Sequence, residues 1–260
     1  MESKEVLMNR QETKFSIVTV CLNAEATILE TICSVKAQTC LDYEYIIWDG
    51  LSKDHTLDII KANVNMDHTL ILTGKDSGLY NAMNRAVEKC SGDYVLFLNS
   101  GDSFADENVL ADVGDWIDKD NSKADIYFGD VLRVREDRTA LESYRGAGVL
   151  PRLLLAGRMP CHQSIFTKTE IMKRYLFDES YTITADYNFL MKCHRNRHVI
   201  SHIDRVICYS DCRDGISSRD DNLGEMRRQD DRSMKELYPI WFYLMKPIKA
   251  MVRGFKNLRG

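Results

Sequence analysis

The sequence lacks several features that would place it in particular classes of protein. No apolar run approaches the roughly 18 residues of a membrane-spanning helix, and the opening residues MESKEVLMNRQETK contain no apolar stretch typical of a secretory signal. Only 14 glycines and 4 prolines occur in 260 residues, which excludes a collagen-like chain. Because 35 basic residues face 39 acidic ones, a generally basic nucleic-acid-binding protein is also excluded. We therefore expect a cytoplasmic globular protein.

The eight cysteines lack the spacing of a metal site or a redox motif. No CxxC pair occurs, and Cys208 and Cys212 have no second Cys or His pair at zinc spacing. Cytoplasmic thiols are kept reduced. We therefore expect ordinary buried or surface thiols rather than disulfides or a zinc centre.

The first half of the chain alternates short apolar runs with helical patterns. Runs of the length and composition of buried strands are followed in each case by a polar turn and a helical period. This alternation predicts an α/β fold with a mostly parallel sheet and helices on both faces. The predicted strands cover residues 15–22, 43–50, 68–74 and 94–99.

The pattern changes after residue 125, where strands and helices no longer alternate regularly. A strand at 125–134 is followed by a possible antiparallel return at 138–146, then by a helix at 186–197 and a strand at 199–211. This half reads as α+β, and no composition break marks a flexible linker. We expect one domain over 1–237, with a first half at about 14–124, a second half at about 125–237, and a separate tail over 238–260.

The carboxyl ends of the predicted parallel strands carry the candidate ligand-binding residues, because ligands of open α/β sheets bind there. The ends fall at residues 21–23, 49–50, 74–78 and 99–102, and three of the four contain a carboxylate. No GxGxxG or GxxxxGK[ST] motif follows the first strand, so a dinucleotide fold or a P-loop is unsupported. An acidic rim without a phosphate-binding glycine loop needs a cation to hold a diphosphate, and a divalent metal at Asp102 meets that need.

Four segments in order, SIVTVCLNA, WDGLSKDHT, KDSGLYNAMNRAV and GDYVLFLNSGD, resemble the family-2 glycosyltransferases of the GT-A fold. The likeness extends over about residues 14–215 and is greatest to bacterial enzymes that build exopolysaccharide or O-antigen units of the colanic-acid type. It implies a GT-A, Rossmann-like sheet whose first half binds a nucleotide-sugar donor, with a UDP-sugar favoured, and whose α+β second half binds an acceptor. It also implies an inverting enzyme of the hexosyltransferase class that uses Mg²⁺ or Mn²⁺. The implied acceptor is a hydroxyl of a polyprenyl-diphosphate-linked saccharide in surface polysaccharide synthesis.

The resemblance assigns nucleotide-binding roles to residues at the four strand ends. The acid after the second strand accepts hydrogen bonds from the base, and the first loop lines the nucleoside. The third loop faces the ribose and diphosphate, and the fourth strand end touches the ribose. An alternative for the acid is that it only starts a turn. The positions are Asp49 for the base, Cys21, Leu22 and Asn23 for the nucleoside, Lys75, Asp76 and Gly78 for the ribose and diphosphate, and Asn99 and Ser100 at the fourth strand end.

The metal-binding segment of the family is reduced in this sequence. Asn99-Ser100-Gly101-Asp102 stands where the family often has DSDD, so Asp102 is the one carboxylate left to bind the metal. A single carboxylate together with donor phosphates and water predicts weak Mg²⁺ or Mn²⁺ binding that forms with the donor.

The second half supplies the candidate base and pocket residues. Thr184-Ala185-Asp186 and the residues after it resemble the family's ED-x-x-L segment, in which the Asp is the general base, although Ala185 replaces the usual Glu. The alternative is that Asp186 is only an acid stabilised at a helix N-terminus. His162 and Gln163 stand where related enzymes carry a His-Gln pair. The resemblance implies that they line the sugar pocket or touch the pyrophosphate. The alternative is a structural role.

The tail over 238–260 contains five basic residues, no acids and several aromatic residues. This composition is typical of a segment that lies on an anionic membrane surface, here the inner face of the plasma membrane. The alternative is a C-terminal helix packed on the domain.

Two other functions remain open at this stage. A sugar nucleotidyltransferase would show a glycine-rich signature with Arg and Lys near the N-terminus, and this signature is missing. A non-catalytic sugar-nucleotide-binding protein is compatible with the reduced metal segment. The absence of a QxxRW segment argues against a processive synthase.

Overall fold

The strands of the protein form one mixed sheet. A computed structural model describes residues 15–64, 67–135, 139–143, 150–212 and 220–244. Within these residues the strands are β1 (Phe15–Cys21), β2 (Tyr43–Asp49), β3 (Thr69–Thr73), β4 (Tyr94–Phe97), β5 (Ser103–Phe104), β6 (Ile126–Val134), β7 (Thr139–Glu142), β8 (Ile165–Lys168) and β9 (Ile200–Asp211).

Helices connect these strands and cover the sheet. The 3₁₀ turns at His162–Ser164 and Asp220–Asn222 add two short elements. The α-helices of the described residues are α1 (Ile28–Lys36), α2 (Thr56–Asn63), α3 (Leu79–Val87), α4 (Val109–Lys119), α5 (Leu150–Leu155), α6 (Thr169–Tyr175), α7 (Ala185–Arg195) and α8 (Leu223–Leu237).

The first half of the sheet is parallel, as the sequence predicts. The strand order is β3-β2-β1-β4-β8-β6-β9-β5, and β7 pairs with β6. Strands β1 to β4 pair only in parallel with one another, and β6 pairs with β9 in parallel. The predicted antiparallel return after β6 is confirmed, because β7 pairs with β6 in the antiparallel sense. Strand β8 is antiparallel to both β4 and β6 and joins the two halves into one sheet.

Both faces of the parallel half are buried, which explains its nearly continuous apolar strands. Val18 and Ile46 point into one core cluster, whereas Ile17 and Ile47 point into the other, because successive strand residues face opposite sides. The two clusters hold the strands rigidly, so their carboxyl ends form a fixed edge for the residues that follow them.

A close approach of backbone and side chain at Gly129 in β6 provides a stability prediction. A Cβ atom at Gly129 would lie 2.4 Å from Ile207 Cγ1 and 2.6 Å from the Arg205 carbonyl oxygen on β9. Gly129→Ala is expected to lower the free energy of unfolding by about 1–3 kcal/mol, measured by urea denaturation. Gly224→Ala is the control, since nothing lies within 4 Å of a Cβ at this helical position. Equal effects of the two substitutions would contradict the prediction.

The first residues of the predicted tail pack on the domain. The Tyr238 hydroxyl lies 2.6 Å from His194 Nδ1 on α7, Trp241 Nε1 donates a hydrogen bond to the Leu155 carbonyl oxygen, and Phe242 contacts one core cluster. Residues 239–244 are helical. This much of the tail follows the alternative of a packed helix, whereas residues 245–260 lie outside the described part of the chain. None of the helices in the described residues is both long enough and apolar enough to span a bilayer.

Candidate active site

A cleft of about 640 Å³ opens at the carboxyl ends of β1 and β4. The loop after β1, the start of α3, the 3₁₀ turn, the N-terminus of α7 and part of α8 surround it. Residues from both the first and the second half of the chain therefore contribute walls. The predicted site residues that line this cleft are Cys21, Leu22, Asn23, Asn99, Ser100, Asp102, His162, Gln163 and Asp186.

The other predicted site residues lie near this edge of the sheet but do not line the cleft. Asp49 is 1% exposed, and its carboxylate accepts a hydrogen bond from Ser52 N at 3.1 Å, as expected for an acid that starts a turn. The Asp76 carboxylate accepts hydrogen bonds from Trp48 Nε1 and from Gly78 N, and Lys75 is exposed. Their roles in nucleotide binding stay predictions.

The loop after β1 is held in a conformation that exposes Leu22 to the cleft. Asn23 has a φ of 50°, in the left-handed region that Asn tolerates better than most residues. Its amide N–H donates to Ser52 Oγ at 2.8 Å, and its side-chain oxygen accepts from Lys53 N at 2.9 Å. Leu22 is 57% exposed and presents an apolar surface beside the polar strand ends.

Asp102 is a buried carboxylate on the wall of the cleft, 4% exposed. Gln163 Nε2 donates to its Oδ2 at 2.8 Å, and the backbone N–H of Asp211 donates to its Oδ1 at 3.0 Å. Burial raises the pKa of Asp102 to about 6, against the lowering effects of the Gln163 hydrogen bond and of nearby His162. The carboxylate is therefore mostly ionised at neutral pH.

The residues around Asp102 fit a weakly held metal better than a tightly held one. In the described ranges of the chain, no group of three or more His, Cys, Asp or Glu side chains is arranged to hold an ion. The Asp102 carboxylate accepts hydrogen bonds from Gln163, the Asp211 N–H and Ser210, and its two oxygens offer about four lone-pair sites, so one stays available to a cation. One protein ligand plus donor phosphates and water agrees with the usual Mg²⁺ environment.

Asp186 lies in the first turn of α7 and faces the cleft. Its Oδ1 accepts a hydrogen bond from Tyr187 N at 2.9 Å and lies 3.1 Å from the Tyr80 hydroxyl, which also contacts the Ile183 carbonyl oxygen at 2.6 Å. Its Oδ2 lies 3.4 Å from His162 Nδ1. Burial, followed by the charge of Asp186, raises the pKa of Tyr80 well above its usual range, so the phenol stays protonated and can donate.

The 3₁₀ turn at His162–Ser164 places two consecutive side chains against the two candidate carboxylates. His162 lies between Asn99 and Asp186, with its Nε2 3.0 Å from Asn99 Nδ2. Gln163, on the same turn, binds Asp102. The sequence predicts both residues for a sugar or pyrophosphate pocket. Both line the cleft, and their partners within the protein include these acids as well as Asn99 for His162 and Cys161 for Gln163.

Sequence reasoning missed Tyr80 and Arg133 among the residues of the cleft. Tyr80 reads as part of the apolar face of α3, and Arg133 as an ordinary residue of a strand. Arg133 lines the cleft and pairs with Glu142 of β7 at 2.6 Å. Both became site residues only through long-range packing, although a basic residue in the largely apolar strand β6 was the available signal for Arg133.

Solved structures of nucleotide-sugar complexes share this architecture. TarS of S. aureus, residues 1–349 in complex with UDP-GlcNAc, superposes with a TM-score of 0.70 at 23% identity over 86% of this chain and 67% of that chain. The mannosyltransferase PcManGT of Pyrobaculum calidifontis, in complex with GDP-Man and Mn²⁺, gives 0.58 at 17% identity over 77% and 57%. These likenesses establish the fold, which is GT-A.

Sequence comparison agrees with the structural one. The model of "Glycosyl transferase family 2" matches residues 16–184, more than half of the chain. A "PGL/p-HBAD biosynthesis glycosyltransferase" of Mycobacterium tuberculosis is 34% identical over 201 residues, 75% of either protein, and an uncharacterised glycosyltransferase of the same species is 27% identical over 234 residues, 86% of this chain and 85% of that one. The protein is thus a GT-A glycosyltransferase. It belongs to glycosyl transferase family 2.

Proposed function

We propose that the protein transfers a sugar from a nucleotide-sugar donor to an acceptor hydroxyl with inversion of the anomeric centre. The observation that carries this proposal is the placement of two carboxylates, Asp102 and Asp186, on the wall of one cleft, one beside the strand ends and the other on the acceptor half. Such a pair allows one acid to serve the departing diphosphate and the other to serve the attacking hydroxyl.

The donor binds along the strand ends of the first half. Leu22 offers an apolar surface for the nucleoside, and Asn99 Oδ1 is a buried oxygen without a hydrogen-bond partner within the described residues, so it can accept from a ribose hydroxyl. The TarS complex with UDP-GlcNAc supports a UDP-sugar, and we assign base recognition to Asp49. Because the PcManGT complex holds GDP-Man, the donor panel described below compares UDP-, GDP- and dTDP-sugars to identify the nucleotide.

Asp102 would hold Mg²⁺ or Mn²⁺ together with the donor. Bound there, the ion would neutralise charge that develops on the leaving diphosphate. Gln163 and the Asp211 backbone N–H keep the carboxylate in a single orientation, which lowers the entropy cost of metal binding. The Mn²⁺ in the PcManGT complex supports a divalent cation for this protein as well.

Asp186 acts as the general base on the acceptor. The acceptor oxygen forms its bond to the anomeric carbon while the bond from that carbon to the diphosphate oxygen breaks, and the hydroxyl proton goes to the carboxylate. The Tyr187 N–H and the Tyr80 hydroxyl hold Oδ1, so Oδ2 is the oxygen that receives the proton. Attack opposite the leaving group inverts the configuration.

The acceptor we propose is a polyprenyl-diphosphate-linked saccharide of bacterial surface polysaccharide synthesis, at the inner face of the plasma membrane. Residues 239–244 support membrane contact: Ile240, Tyr243 and Leu244 are 79%, 58% and 61% exposed, and their spacing puts them on one helix face. Five basic residues in 238–260 would add attraction to anionic lipid. The colanic-acid-type assignment stays a prediction from sequence.

Removing two tail charges is expected to weaken membrane binding. Lys246→Gln with Lys249→Gln should lower affinity for liposomes that contain anionic lipid by about 30-fold, since each basic residue near such a surface contributes about 1 kcal/mol. Both lysines lie outside the described residues. Lys61→Gln with Lys89→Gln makes the same change of charge at exposed positions elsewhere and is the control in a sedimentation assay. Equal losses for both pairs would show that only overall charge matters.

The proposed function is tested by donor hydrolysis. A panel of UDP-, GDP- and dTDP-sugars is incubated with the protein and Mn²⁺, and release of the free nucleoside diphosphate is measured. We expect one UDP-sugar to be turned over and EDTA to stop the reaction. Binding of a nucleotide sugar is followed separately by thermal shift. If the protein binds a nucleotide sugar but turns none over, even with polyprenyl-diphosphate saccharides present, it is a non-catalytic binding protein.

A further inference from the structure

His162 and Asn99 form a chain of polar contacts that ends on Asp186. The distances are 3.0 Å from Asn99 Nδ2 to His162 Nε2 and 3.4 Å from His162 Nδ1 to Asp186 Oδ2. We propose that His162 is a positioning residue for the base, and that Asn99 selects the imidazole tautomer that donates to Asp186. This inference rests on the proposed role of Asp186 as general base.

The donor and acceptor order along this chain follows from the chemistry of its groups. The Asn99 amide nitrogen carries only donors, so His162 Nε2 must accept, and the single ring proton of a neutral imidazole is then on Nδ1. Nδ1 lies 3.4 Å from Asp186 Oδ2, so a proton on Nδ1 is within reach of that carboxylate oxygen. Because the ring is 24% exposed and wedged between two elements, the contact restricts rotation of the carboxylate. A base held in one orientation loses less entropy when the acceptor binds.

This chain of polar contacts gives a reason for asparagine at position 99, where the family often has aspartate. A carboxylate at position 99 has no N–H to donate, so it would accept from Nε2 and select the tautomer whose Nδ1 carries no proton. Asparagine donates to Nε2 and leaves the ring proton on Nδ1, the nitrogen nearest to Asp186.

The experiment measures kcat and donor KM for hydrolysis of the preferred UDP-sugar. We expect His162→Ala to lower kcat about tenfold with donor KM nearly unchanged. His162→Gln should recover most of the loss, since its amide can accept from Asn99 and donate to Asp186. Asn99→Asp should also lower kcat, because its side chain cannot donate to Nε2. Circular dichroism melting checks that each variant is folded.

The outcomes separate this inference from the proposed function. If Asp186→Asn abolishes turnover while His162→Ala and Asn99→Asp keep the kcat of the original protein, the positioning role is wrong and the base assignment stands. If Asp186→Asn itself keeps full turnover, the proposed function is wrong. A rise in KM alone for His162→Ala would reassign the ring to donor binding and overturn the inference. If His162→Ala does not fold, a folded Asn99→Asp with the kcat of the original protein would overturn it as well.

Discussion

Replacing Asp186 by asparagine is expected to lower kcat by about 10²-fold or more, the size of a typical general-base contribution. The amide keeps the shape of the side chain, and its oxygen can still accept from Tyr187 N, but it cannot take a proton from the acceptor hydroxyl. Donor affinity should hardly change because the proposed donor site lies at the strand ends of the first half. Steady-state release of UDP and calorimetric binding of UDP measure the two effects separately.

The control for Asp186→Asn is the same substitution at Asp58, which also lies in the first turn of a helix, α2, but is exposed. If Asp186 served only the helix dipole, both variants would lose a similar free energy of unfolding, about 0.3–1 kcal/mol, with turnover intact. Loss of turnover at Asp186 alone identifies the base. An unchanged kcat, with a large rise in the donor dissociation constant, would assign the residue to binding.

Asp102→Asn is expected to reduce metal-stimulated turnover by about 10²-fold, because even outer-shell changes at metal sites cost 10- to 100-fold. The asparagine retains an oxygen that can accept from the Asp211 N–H, while the charge that attracts the cation is lost. Titration of Mn²⁺ at fixed donor concentration measures the effect. Full stimulation of the variant by Mn²⁺ would show that the metal is bound elsewhere or by the donor alone.

The pH dependence of Asp102 gives an independent check. Burial raises its pKa to about 6, so metal stimulation should fall as the pH drops below 6 and the carboxyl takes up a proton. The folded state binds this proton more tightly than the unfolded state, whose Asp pKa is about 3.9. The contribution of Asp102 to stability is therefore present below about pH 4 and is lost as the pH rises through 6. Because asparagine never ionises, Asp102→Asn should be at least as stable as the original protein at neutral pH, measured by urea denaturation.

Local sequence patterns determined much of the first half of the sheet. Buried parallel strands need continuous apolar runs, and these runs predict the strands that became β1 to β4. Their polar ends had to meet at one edge because parallel strands share a direction. Asp102 and Asp186 could accordingly be named as candidates from the segments that carry them, one after a strand and one at a helix start.

Only the tertiary structure decided how the site is assembled. The antiparallel β8 enters between β4 and β6 and brings the 3₁₀ turn to the ends of the parallel strands, a pairing that no local pattern specifies. The key contacts join residues far apart in the chain, 63 positions for Asn99 and His162 and 106 for Tyr80 and Asp186. Periodicity reports the face on which a side chain lies, whereas its partner depends on how whole elements pack. For the same reason Asp49, chosen for its place at a strand end, proved to be buried beside the cleft rather than in its wall.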